Sequence, residues 1–131
     1  MQITRDLLEQ IIAQAHAEAP NECCGIIAAQ DGKAVSVHPA RNAAASPLRY
    51  EMEGTEQYRI QSAIEDAGHE LGAIYHSHTR TPPVPSQTDI NLAFYPEALY
   101  VIVGVAGEEP DVRAYRIVEG EVSEQPLEVA G

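Results

Sequence analysis

The sequence predicts one domain over residues 1–131, of the α/β class with an α+β mixed sheet, and three observations carry that expectation. Residues 4–19 and 54–69 repeat apolar side chains at the 3.6-residue period of an amphipathic helix. Several short runs, notably 23–29 and 99–105, are apolar and bounded by Gly, Pro or Asp, as strands are. The two kinds of segment mix without the strict alternation of a doubly wound parallel sheet.

In chain order, Leu7, Leu8, Ile11, Ile12 and Ala15 trace the inner face of the first helix, and Pro20-Asn21 ends it. Residues 23–29 read as a short buried strand, turned at Asp31-Gly32 into a partner over 33–38. The stretch RNAAASPL is a loop, followed by a short strand over 50–52. The second helix, 54–69, faces inward with Ile60, Ala63, Ile64, Ala67 and Leu71, and Gly72 breaks it. Ala73-Ile74-Tyr75 then opens a strand, the Pro-rich TRTPPVP forms a loop, and 86–94 makes a third helix. A strand over 99–105 and a hairpin of 112–118 with 122–129, turned at Glu119-Gly120, complete the chain.

Composition narrows the function classes. Eight basic against 20 acidic residues give a net charge of -12, which argues against nucleic acid and anionic membranes as partners. No run approaches the roughly 18 apolar residues that span a bilayer, and MQITRDLLEQ lacks a signal-peptide layout, so the sequence points to the cytoplasm. Cys23 and Cys24 are adjacent, a poor disulfide framework, and read as small buried hydrophobes in a reducing compartment.

The chemistry concentrates in His76-Ser77-His78. Alternate residues of a strand share a face, so both imidazoles point the same way. Two such rings suit zinc at about 2.0–2.1 Å, and Asp89, brought back by the loop 79–85, can add a carboxylate. Three protein ligands leave a fourth position for water, the mark of a catalytic site. Ser86-x-x-Asp89 ahead of a helix also reads as a capping box, a purely structural role. Other HxH families fit poorly. HSHT does not continue into the x-Asp-His of metallo-β-lactamases, and amidohydrolases need a barrel of about 250 residues. The Glu of cupins and the HxE and PCxxC of zinc deaminases are absent.

His76-x-His78, seven residues, Ser86-x-x-Asp89 and an upstream Glu22 in NECCGII together resemble the JAMM (MPN+) zinc metalloproteases. The resemblance runs from about Ile3 to Leu127 and implies a curved mixed sheet with helices on both sides, akin to the deaminase architecture. It implies that His76, His78 and Asp89 bind zinc, that Glu22 is the general base, and that Ser86 hydrogen-bonds the developing oxyanion. Thr79 departs from the Pro most relatives carry there. HSHT, the Pro-Ser-x-x-Asp segment and the AYRIVEGEV ending resemble a narrower bacterial subgroup that hydrolyses a cysteine amide on a ubiquitin-like sulfur-carrier protein. Two alternatives stand beside a peptidase for carrier conjugates: a small-molecule zinc amidohydrolase acting on amino-acid conjugates, and a non-catalytic scaffold of the same fold. The chain is too short for the large insertions with which deubiquitinases grip ubiquitin.

Overall fold

A computed structural model describes all of residues 1–131. The elements run β1 (Gln2–Thr4), α1 (Arg5–Glu18), β2 (Cys24–Gln30), β3 (Lys33–Ala40), α2 (Gly54–Asp66), β4 (Glu70–His78), α3 (Gln87–Asn91), β5 (Leu99–Gly104), β6 (Asp111–Val118), β7 (Glu121–Gln125) and β8 (Glu128–Ala130). The strands form one sheet in the order β7-β6-β5-β4-β2-β3-β1-β8. β4 lies inside it, antiparallel to β2 and parallel to β5, so the sheet is mixed as expected.

Local chemistry explains the main elements. Thr4 caps α1 through its Oγ1, which accepts from the Leu7 N–H at 3.3 Å, and Leu8, Ile11 and Ala15 bury the helix's inner stripe. Asp31 and Gly32 have φ of 53° and 77°, and Glu119 and Gly120 of 52° and 81°. Both pairs make the two-residue left-handed turns whose twist suits a hairpin.

The sheet curls. β7 and β8 occupy opposite edges, yet only Pro126 and Leu127 separate them in sequence. Three residue steps reach at most about 10 Å, so the two edges must come close together. The concave side wraps α1, which touches β1, β3, β5 and β8. There Ile3, Leu8, Ile11 and Ala15 pack with Ile27, Tyr75, Val101 and Val103. On the other side α2 buries Ile60 and Ile64 against Cys24, Ile26 and Ala28, and Ile90 beside Ile74, Tyr100 and Ile102 brings in α3. Helices therefore cover both faces.

Four expectations need correction. α2 ends at Asp66, not at residue 69, because Gly68 (φ 81°) closes it. Gly68 N–H bonds Glu65 C=O at 2.9 Å and His69 N–H bonds Ile64 C=O at 3.0 Å, the paired bonds of a Schellman cap. Leu71 and Gly72 consequently lie in β4, where a side chain at 72 would strike Ala29. The predicted strand 50–52 is a single bridge, Asn42 to Met52, and α3 is five residues rather than nine. The predicted strand 122–129 breaks at Pro126, which has no N–H to continue the ladder, and its second half crosses to the far edge. β1 was not anticipated; three residues are too few for a periodic signal.

Candidate metal centre

Sheet register assembles the site. Along β4, Ala73, Tyr75 and Ser77 face α1, whereas Ile74, His76 and His78 face the side of α2 and α3. The β2–β4 ladder pairs Cys24 with His76, and continuing it two residues sets Glu22 opposite His78. Residues opposite one another in an antiparallel pair share a face, so Glu22 joins the histidines. The ladder is locked on the reverse face, where Ser77 Oγ accepts from Cys23 N–H at 2.8 Å and Ser77 N–H donates to Cys23 C=O at 3.1 Å.

The loop after His78 turns back as expected. Thr79 Oγ1 donates to Pro20 C=O at 2.8 Å, and the Tyr115 hydroxyl donates to Pro83 C=O at 2.6 Å. Thr79 thus ties the loop to the segment leading into Glu22. Ser86 caps α3, accepting from Asp89 N–H at 3.1 Å, while Asp89 Oδ2 accepts from Ser86 N–H at 2.9 Å. The capping box is therefore real, and the same Asp89 also reaches the histidines.

The two imidazole nitrogens and the Asp89 carboxylate close a triangle of groups, with one carboxylate oxygen turned to each ring. His76 Nε2 and His78 Nε2 stand 3.2 Å apart; His76 Nε2 is 3.1 Å from Asp89 Oδ1 and His78 Nε2 is 3.0 Å from Asp89 Oδ2. Donors bound tetrahedrally at about 2.0–2.1 Å lie roughly 3.3–3.4 Å apart. The two imidazole nitrogens are near that spacing, and one ligand atom from each of the three residues lies within 4.8 Å of the others, which suits a metal ion after a modest shift. All three residues are buried. His78 Nδ1–H donates to Pro82 C=O at 2.8 Å, which leaves Nε2 as the ligand atom and orients the ring. The His76 ring stacks on Tyr50, centroids 4.6 Å apart and planes 23° from parallel, while its buried Nδ1 has no partner.

Electrostatics fit the same reading. Burial would raise the Asp89 carboxyl, but hydrogen bonds from His76 and His78 outweigh it and hold the group well below the usual carboxylate range. Burial pushes His76 down. His78 also suffers burial, yet its bonds to Asp89 and Pro82 carry it up. Asp89 thus favours its ionised form beside the two rings, the form a ligand to a dication takes.

Glu22 is 3% exposed, and its Oε1 is buried without a partner. Burial raises its pKa to about 8 against the pull of nearby His78. All five residues singled out in the sequence meet here: His76, His78 and Asp89 in the triangle, Glu22 across the ladder from His78, and exposed Ser86 bonded to Asp89. Two neighbours were missed. Tyr50 walls off His76, and Asn42 holds the loop that carries Tyr50. Both lie in a segment without periodicity, and only strand pairing reveals them. Beyond Tyr50 opens a cavity of about 300 Å³ lined by Met52, Ile74, Leu92, Tyr95 and Tyr100.

A family model described as prokaryotic homologs of the JAB domain matches residues 4–118. The CysO-cysteine peptidase of Mycobacterium tuberculosis is 39% identical over 130 residues, which span 97% of this chain and 89% of that protein. A desampylase of Haloferax volcanii is 36% identical over 114 residues, 82% of either chain. The solution structure of protein DSY2949 from Desulfitobacterium hafniense matches with a TM-score of 0.90 at 29% identity, over 98% of this chain and 92% of that one.

Proposed function

The chain belongs to the family of prokaryotic homologs of the JAB domain, and on that premise we propose that it is a zinc-dependent peptidase. Its substrate is a ubiquitin-like sulfur-carrier protein, cut at the amide that follows the carrier's C-terminal glycine, with cysteine as the leaving group. One observation carries the reading: a buried His76–His78–Asp89 cluster whose ligand atoms lie within 4.8 Å of one another, with an unpartnered Glu22 carboxylate oxygen on the same face.

His76, His78 and Asp89 would hold the zinc ion. When bound, zinc supplies Lewis acidity toward water and the amide carbonyl. Glu22 would take the attacking water's proton at its free Oε1 and deliver it to the leaving nitrogen. A dication nearby favours the ionised form of Glu22, the form a base requires. Ser86, with its oxygen already accepting from Asp89 N–H, keeps its own O–H to donate to the developing oxyanion. Cys23 and Cys24 take no part. Burial pushes their thiols up to about 11 and about 12, so neither offers a thiolate near neutral pH.

A terminal Gly-Gly pair has no side chains to clash in a narrow approach to the triangle. The preceding residues of an extended tail can pair with backbone and rest on the apolar cavity beyond Tyr50. Net charge of -12 offers an acidic carrier no steering, so recognition rests on these contacts. No helix is long and apolar enough to cross a membrane. Free, buried Cys23 and Cys24 suit the reducing cytoplasm in which we place the protein.

The test is incubation with a carrier–cysteine adduct, with release of free cysteine followed by mass spectrometry. We expect release by zinc-loaded protein and none after chelation. An intact adduct alongside rapid cleavage of small acyl–amino-acid amides would replace this reading with a small-molecule hydrolase. Cleavage of neither would leave a scaffold.

A further inference from the structure

We infer that Asn42 is a positioning residue for Glu22: its carboxamide completes the sheet where the strands stop and fixes the backbone from which the base projects. The inference rests on the role proposed above for Glu22.

The β2–β3 ladder pairs Cys24 with Ala40, where β3 ends. Continuing the register by two residues sets Asn42 opposite Glu22, just as the β2–β4 ladder sets His78 there on the other side. Glu22 thus sits between a histidine of the triangle and Asn42. Its N–H does not bond Asn42's backbone; it donates to Ser46 C=O at 2.9 Å. Its C=O accepts from Asn42 Nδ2 at 3.0 Å. The side chain has replaced the missing ladder bond.

That carboxamide is used in full. Nδ2 donates also to Arg49 C=O at 3.0 Å, and Oδ1 accepts from the N–H groups of Ala44 and Glu51, each at 3.0 Å. Two donors and two lone pairs exhaust what an asparagine amide offers. Asn42 is 7% exposed, so each bond exchanges a buried partner rather than water. Arg49 and Glu51 flank Tyr50, whose ring stacks on His76. One side chain therefore bonds the base's backbone and the backbone on either side of Tyr50, the residue stacked on a triangle histidine.

An isosteric aspartate would keep both accepted bonds but set a carboxylate against the carbonyls of Glu22 and Arg49. Alanine would remove all four bonds. Displacing a catalytic group by about 1 Å costs on the order of 10² in rate. Such a loss falls on kcat, with little change in KM, when only the base is misplaced.

The experiment is a double-mutant cycle on zinc-loaded full-length chains, read with a carrier–cysteine adduct that the wild type cleaves. Single-turnover rates, KM and zinc content are measured for wild type, Asn42→Ala, Glu22→Gln and the double variant. We expect Asn42→Ala to lose about 10- to 100-fold in rate, to keep KM within about threefold, and to retain its zinc. In the Glu22→Gln background the same change should cost less than about twofold, because the base it positions is gone. Full multiplication of the two losses, or a near wild-type rate in Asn42→Ala, overturns the inference. If Asn42→Ala does not fold, Asn42→Asp takes its place in the cycle with the same expected and overturning results. A Glu22→Gln variant of undiminished rate would instead overturn the role of Glu22, which distinguishes the two failures.

Discussion

The two faces of β4 treat polar groups in opposite ways. Toward α1, Tyr75 is fully buried with its hydroxyl donating to Gln14 Oε1 at 2.5 Å, its ring packed where any side chain on Gly25 would stand. Ser77, equally buried, accepts from Cys23 N–H. Every polar group on that face is closed. On the other face His76 Nδ1 and Glu22 Oε1 are buried with no partner, and His76 Nε2, His78 Nε2 and the two Asp89 carboxylate oxygens crowd together with contacts of 3.0–3.2 Å. A buried polar atom left open normally costs stability, so its survival points to a partner that arrives later. One strand thus carries a structural face and a chemical face on alternate residues, and each can be broken separately.

The largest effect should come from the open face. Glu22→Gln keeps the volume and leaves the triangle intact, so zinc and fold should persist. Turnover should fall by roughly the 10²–10⁴ typical of an acid–base residue, measured as kcat on the carrier adduct.

The closed face should respond in stability and not in metal content. Ser77→Ala strands the buried Cys23 N–H and should cost about 1–3 kcal/mol, while Tyr75→Phe removes one hydrogen bond and should cost about 1 kcal/mol. Denaturant midpoints read these losses, and zinc per chain should be unchanged.

A smaller effect separates the faces by pH in metal-free protein. Burial raises Glu22 from 4.5 to about 8, so the folded state keeps a proton that the unfolded chain releases. Stability should therefore fall as pH rises between those values. Raised His78 acts in the same direction, and lowered His76 in the opposite one. Glu22→Gln should flatten the slope by its own share, and identical slopes for the two chains would count against a buried, protonated Glu22. The smallest effects belong to the cysteines. Cys23→Ser and Cys24→Ser should retain turnover, and the native thiols, pushed up to about 11 and about 12, should resist alkylation at neutral pH.

What was legible in the sequence follows the same division. The period of two along a strand sufficed to align His76 with His78, and the capping pattern at Ser86 put Asp89 on a helix's first turn. The family pattern added Glu22 and Ser86. Long-range pairing stayed hidden. Leu71 continued a helical stripe in sequence, but Gly68 ended that helix four residues after Ile64 and made Leu71 part of β4. Residues 122–129 read as one strand because Pro126 punctuates only weakly at an edge, and nothing local tells the next three residues to close the sheet. Asn42 and Tyr50 lie in an alanine-rich loop with no period, and their importance exists only once β2, β3 and β4 are in register.

Whether the open face is a metal centre is decided by elemental analysis of the purified chain beside His78→Ala and Asp89→Ala. We expect about one zinc per wild-type chain and near none in either variant, because two remaining ligands hold the ion poorly. Equal zinc in all three proteins would contradict a metal centre on that face.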